Sequence, residues 1–201
     1  NMDKRQFLSS AVAFGAATSA RPALAGKNDA SGACATSPAL LTISGSIKRR
    51  NRGEFDPALD QLFGKQLVKF PDAYTHSFQS LASLPAITIR PTLEYDAQPH
   101  TLSGPLLSDV LQGVGAPDAG ATKVMLRAID GYGAMVTLDT VRAYRYIVAT
   151  HLDGKPMPLG GLGPLWAVYD ADRIPELASK PLKERFVSCP WALYHVQVSA
   201  A

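Results

Sequence analysis

The alternation of apolar and small residues in Leu41-Thr42-Ile43-Ser44-Gly45-Ser46-Ile47 is the pattern of a half-buried strand. The Lys48 to Gly53 run that follows is turn-like and solvated, and Asp56-Pro57 offers a helix start, with Asp as cap and Pro at the first helical position. Phe78, Leu81 and Leu84 recur at three-residue spacing and predict a short helix ending before Pro85, with a second strand at Ala86 to Arg90. Leu106, Leu107, Val110, Leu111 and Val114 line one face of the clearest helix, Pro105 at its start and Gly115 at its end. Val124 to Ala128 and Ala134 to Leu138 read as strands around an Asp130-Gly131-Tyr132-Gly133 turn. Tyr146 to Leu152 reads as one strand, which Asp153-Gly154 turns towards Met157. Leu165 to Tyr169 is almost wholly apolar, as a central buried strand would be, and Trp191 to Val198 closes the chain as another strand. Short strands, Gly/Pro turns and a few short helices predict an α+β, mainly β fold with helices outside. No internal repeat or linker divides it, so residues 41–201 read as a single domain after a loose segment at 26–40.

Composition adds a core and removes some partners. Hydrophobic residues make up 46% of the 201 positions and charged ones 18%, so the chain can bury a sizeable core. The formal charge is +3, and only Lys48, Arg49, Arg50 and Arg52 cluster, with no aromatic residue among them to stack bases; a nucleic-acid partner is not indicated. Two cysteines and four scattered histidines do not make a four-ligand zinc cage.

Residues 1–25 read as an export signal. Asn1, ahead of Met2, reads as a residue added in expression. Lys4 and Arg5 form a positive start, Phe7 to Ala20 is uncharged, and Ala23-Leu24-Ala25 offers a small-x-small cleavage site. The apolar run falls short of the about 20 residues a transmembrane helix needs. Lys4-Arg5-Gln6-Phe7-Leu8 resembles the twin-arginine export motif with Lys for its first Arg, which implies a periplasmic mature protein exported in the folded state. Lys4, Arg5 and Arg21 against Asp3 give this segment a net +2 of the chain's formal +3. In an oxidising compartment Cys34 and Cys189 are a disulfide candidate that would close a long loop, worth roughly 2–4 kcal/mol; two unpaired thiols are the alternative.

Local motifs name no reaction. Gly160-Gly161-Leu162-Gly163 lacks the helix and the Lys-Ser/Thr pair of a phosphate loop and reads as a connector. There is no Gly-x-Ser-x-Gly elbow, and neither cysteine has a histidine or basic neighbour in sequence to activate it. Asp170, Asp172 and Glu176 surround Arg173 as a solvated, ion-paired loop would.

Read together, several segments resemble a family. Ser103-Gly104-Pro105-Leu106-Leu107-Ser108-Asp109-Val110-Leu111 is similar to the "SGVPLRDVL" helix start of the molybdopterin-binding domain of sulfite-oxidase-type oxidoreductases. Asp130-Gly131-Tyr132 resembles its "DGY" turn, and Asp153-Gly154-Lys155-Pro156-Met157-Pro158 its "MNGEPLP" hairpin. Gly163 to Tyr169 and the closing tryptophan strand continue the likeness in the same order, over Leu41 to Val198. The resemblance implies a β-rich, mixed-sheet, barrel-like domain with short peripheral helices. The family's molybdenum-binding cysteine lies in a "TLxCxGN" segment; here Thr92-Leu93-Glu94-Tyr95-Asp96 stands there, with Tyr95 at the cysteine position. The chain is thus similar to short, stand-alone exported members that lack the thiolate.

Two functions follow from the resemblance, with a third beside them. One is a periplasmic ligand-binding, sensory or accessory module without molybdenum and without a cofactor. The second is a molybdopterin-dependent redox enzyme with an altered ligand set, and the third a scaffold for a periplasmic protein partner. The implied cleft lining is Tyr95 and His100, the Asp130-Tyr132 turn, and Arg173, whose guanidinium would hold a small anionic ligand. Trp166 and Trp191 are expected in the core.

Overall fold

A computed structural model of the chain describes residues 37–200. The export-signal expectation, most of the loose segment and Cys34 lie outside these residues. Ala39 and Leu40, expected in the loose segment, already belong to the first strand.

Five strands form the largest sheet. β1 (Ala39–Gly45) lies between β2 (Ala73–Ser77) and the C-terminal β11 (Leu193–Ser199), and β11 pairs in turn with β5 (Lys123–Ala128), which pairs with β6 (Gly133–Thr137). β1 and β11 run parallel, Ile43 opposite Val196, while every other pairing in this sheet is antiparallel. Both faces are covered, which is why β1 is buried at four consecutive positions, Leu41 to Ser44, and β11 at four, Leu193 to Val196, rather than at alternate ones. Leu41, Ile43, Val124, Leu126, Val196 and Val198 belong to the main core. A smaller aromatic cluster of Phe63, Val68, Phe70, Ala73 and Tyr194 includes Phe63 of helix α1 (Gln61–Lys65). A bulge at Leu193–His195 breaks the alternation of β11, and Tyr194 and His195 both lie against Phe63, with ring centroids 5.2 and 5.5 Å away.

The second sheet runs β3 (Ala86–Ile89), β4 (Leu102–Pro105), β8 (His151–Leu152) and β9 (Lys155–Pro156), and a third pairs β7 (Ile147–Ala149) with β10 (Trp166–Val168). No closed barrel forms among the described residues, so the barrel-like expectation gives way to separate sheets. The stretch read as one strand from Tyr146 to Leu152 divides at Thr150, whose N–H turns to Ser103 O (2.9 Å): β7 serves the buried pair and β8 the second sheet. Leu165 to Tyr169 is wholly buried as expected, but within a two-stranded ribbon.

The helices are short: α1, α2 (Phe78–Ala82), α3 (Leu107–Gly113), α4 (Leu138–Ala143) and α5 (Pro175–Ala178). Asp56 starts only a turn, accepting from Ala58 N and Leu59 N, and α1 follows later. Ser103-Gly104-Pro105, read as a helix start, is strand instead. A Cβ on Gly104 would stand 1.9 Å from Val148 O, so glycine here lets two backbones touch. α4 lacks a sequence forecast because Leu138 reads as the end of a strand; Thr137 Oγ1 accepts from Thr140 N (3.2 Å) and caps it, while Leu138 and Val141 point inward. None of the described helices is long and apolar enough to cross a membrane.

Candidate functional site

Three loops meet beside the buried β7–β10 ribbon. The first follows β3. Thr92 N donates to Asp172 Oδ2 (2.7 Å), Leu93 N donates to Gln98 O (2.9 Å), and Leu93 is buried, so the loop is pinned and Glu94 and Tyr95 stand at its outer edge. Tyr95 is half exposed, its ring centroid 6.5 Å from that of Trp166.

The second is the β5–β6 turn. Asp130 Oδ1 accepts from Tyr132 N (2.9 Å), an Asx turn that glycine completes at Gly131 with φ of +95°. The Tyr132 hydroxyl donates to Val187 O and ties this turn to the third segment, Phe186 to Trp191. That segment is anchored by Trp166 Nε1, which donates to Cys189 O (2.8 Å).

Between the loops lies a cavity of about 230 Å³ lined chiefly by Glu94, Tyr95, Asp130, Tyr132, Lys183 and Cys189. A wider, mostly apolar lobe of about 560 Å³ shares Tyr95, Asp130 and Trp191 with it and is walled by Leu159, Gly160, Gly161 and Leu162. The charged groups of this two-lobed cleft are two carboxylates and one ammonium. Burial, reinforced by Glu94, pushes the Tyr95 phenol up to about 12, and burial pushes the Cys189 thiol up as well. Both stay protonated at neutral pH, so neither is a ready nucleophile or anionic ligand.

The structure thus brings together Tyr95, Asp130 and Tyr132 and leaves out two of the expected residues. His100 is engaged elsewhere: Nδ1 lies 2.7 Å from Asp153 Oδ2 and Nε2 2.8 Å from Asp96 Oδ2, clamping the loop after β3 to the β8–β9 turn. Hydrogen bonds to Asp153 and then Asp96 raise its pKa, and the two carboxylates are correspondingly held low. Arg173 lies on a separate groove, 86% exposed, its Nε 3.5 Å from Asp170 Oδ2. The disulfide expectation involves Cys34, outside the described residues; Cys189 is buried beside the cleft.

Trp191, expected in the core with Trp166, is instead 37% exposed and forms the cleft's shared wall, whereas Trp166 is fully buried. Its backbone precedes β11 and, among the described residues, bridges only to Trp166, so no described sheet face hides its ring. Lys183, Glu94 and the Gly160-Gly161 connector were also absent from the expected lining. They carry no common periodicity, and only the chain's folding brings loops about 20 to 100 residues apart in sequence to one place.

No protein-family model matches the chain, and no curated protein does. Among solved structures, the sulfane dehydrogenase SoxCD from Paracoccus pantotrophus matches with a TM-score of 0.51 at 12% identity, over 79% of this chain and 37% of that one. The chain therefore spans well under half the length of this structural relative and shares its fold at that coarse level.

Proposed function

We propose that this chain is an exported, periplasmic binding module of molybdopterin-oxidoreductase-like fold, whose two-lobed cleft takes a flat, uncharged or cationic small molecule without molybdenum catalysis. The observation that carries the reading is the cleft's composition: exposed aromatic rings of Tyr95, Tyr132 and Trp191 around a hollow whose fixed charges are Glu94, Asp130 and Lys183. Aromatic walls favour a planar ligand, and carboxylate acceptors favour its N–H edge. Asp130 keeps Oδ2 free for such a contact, since the Asx turn engages Oδ1. The small anionic ligand first expected rested on Arg173, which lies outside this cleft, so its chemistry does not carry over.

The second reading, a pterin-dependent redox enzyme, rests on the fold. The donor set argues against it. A molybdenum centre of this type calls for a thiolate, whereas the thiol here is buried and held protonated, and Tyr95 is a phenol whose deprotonation burial opposes. A pterin phosphate calls for cations, and the cleft offsets its one lysine with two carboxylates in the same lining. No group of three His, Cys, Asp or Glu suited to a metal occurs among the described residues. These residues do not fit the cofactor.

Two measurements test the reading. Protein purified from a host that makes the cofactor is expected to carry far less than equimolar molybdenum by elemental analysis. Titration with a neutral flat heteroaromatic, an alloxazine, is expected to quench tryptophan fluorescence, and Trp191→Phe to remove most of the quenching. Near-equimolar molybdenum, or quenching unchanged by Trp191→Phe, overturns the proposal.

A further inference from the structure

The outer edge of β3 borders a groove that shares no lining residue with the aromatic cleft. Ser103 of β4 turns its carbonyl to Thr150 N (2.9 Å), away from β3, so the opposed pair Thr88–Ser103 is a non-hydrogen-bonded pair of the antiparallel ladder. The N–H and C=O of Thr88 therefore point outward, and among the described residues β3 has no further strand on that side. Those of Ala86 do the same two residues earlier, opposite Pro105, which has no N–H to offer. Beyond the strand the same edge is occupied by carboxylates. Arg90 N donates to Asp170 Oδ2 (3.4 Å) and Thr92 N to Asp172 Oδ2 (2.7 Å), where a neighbouring strand would place carbonyls. The described residues cap the edge at one end and leave it open along β3.

The groove beside it measures about 380 Å³ and has an apolar floor from Ile87, Ile89 and Ile174. Three guanidiniums rim it: Arg90 at the end of β3, Arg145 from the α4–β7 turn and Arg173 from the 3-10 turn Ala171–Arg173. The one carboxylate in its lining, Asp170, is engaged by Arg90 N and Arg173. Among the described residues Arg90 and Arg145 make no ion pair. Charges on a strand's own edge can simply deter unwanted pairing. That role does not call for two further arginines brought in from separate elements to face the same groove.

We propose that this groove binds an extended acidic peptide segment of a partner protein, added as a strand to β3. The free Thr88 and Ala86 peptide groups would pair with its backbone, and Arg90, Arg145 and Arg173 would meet its carboxylates. This proposal does not depend on what the aromatic cleft binds.

The test uses the whole chain and a fluorescein-labelled octapeptide of alternating valine and glutamate, read by fluorescence anisotropy. Binding is expected, weakening steeply with added salt, and R90E/R145E is expected to weaken it about tenfold. The same peptide with alternate amides N-methylated keeps its charge but cannot pair as a strand, and is expected to bind at least about tenfold more weakly. In amide NMR spectra the Thr88 resonance is expected to shift on binding. Failure of the peptide to bind, equal binding of a valine-lysine peptide, or equal binding of the N-methylated peptide each overturns the proposal, the last by leaving electrostatic adhesion only.

Discussion

His195 shows how one side chain's surroundings decide its chemistry. It is fully buried on β11, and Arg127 Nη1, which can only donate, lies 3.3 Å from its Nδ1. Nδ1 is therefore the acceptor, and Nε2 carries the proton and donates to Ser44 Oγ at 2.9 Å. Burial, with the Arg127 and Arg52 charges nearby, pushes its pKa down to about 3. A histidine neutral when folded binds a proton more readily when unfolded, so its contribution is fully present above about pH 6.5 and is lost as pH falls towards 3. The loss approaches about 1.4 kcal/mol per pH unit in that window. Denaturant unfolding from pH 7 to 4 is expected to show this slope, and His195→Asn to flatten it by about one proton; parallel curves for the two proteins would contradict it. A serine, a histidine and an arginine in contact suggest catalysis on paper. Here the set lies on the sheet face covered by Phe63 and Phe70, not at the cleft, and satisfies buried polar groups.

At the scale of elements, boundaries fell where packing overrode local pattern. The strands β1, β3, β5, β6 and β11 were readable because alternation or an apolar run survives in the sequence, and α2 and α3 because their apolar spacing is helical. β4 was hidden because its Ser-Gly-Pro composition reads as a turn, and its pairing is explained only by Val148 lying against Gly104. Gly104→Val places atoms inside the Val148 carbonyl, which backbone on both sides cannot vacate. It is expected to cost about 3 kcal/mol or more, read as a lower midpoint in thermal or denaturant unfolding. Gly113→Ala, where a Cβ meets nothing within 4 Å, serves as the control and is expected to stay within about 1 kcal/mol of the parent. The same logic explains the cleft. Tyr95, Asp130 and Tyr132 stood in motifs that the family resemblance assigned to the cleft, while it placed Trp191 in the closing strand and Lys183 in no motif, where no local pattern separates a wall from a core residue.

Across the whole molecule the C-terminal strand closes the main sheet. β11 lies between β1 and β5 and is buried at five of its seven positions, and among the described strands β1 would otherwise keep only β2 as a partner. A chain ending at Ala192 is expected to lose cooperative thermal unfolding and the native near-ultraviolet circular dichroism, because two sheet halves are left with open inner edges. Retention of a sharp transition would show that β1–β2 and β5–β6 hold without it. Parallel pairing of the first and last of the described strands also means that the main sheet forms only when they have met, a contact separated by about 150 positions.

What the amino-acid sequence determined by itself was local: which stretches alternate, where turns must fall, how much core can be buried, and that Tyr95 stands where a family its segments resemble keeps a cysteine. Those features follow from side-chain size, polarity and backbone freedom within a few residues. The tertiary structure alone decided which residues share a space. It drew Cys189 and Trp191 to the cleft with Tyr95, sent His100 into a clamp between Asp96 and Asp153, and moved Arg173 to the β3 groove. The physical reason is that burial and proximity between distant segments depend on how the sheets pack, and no residue's own character records its future neighbours.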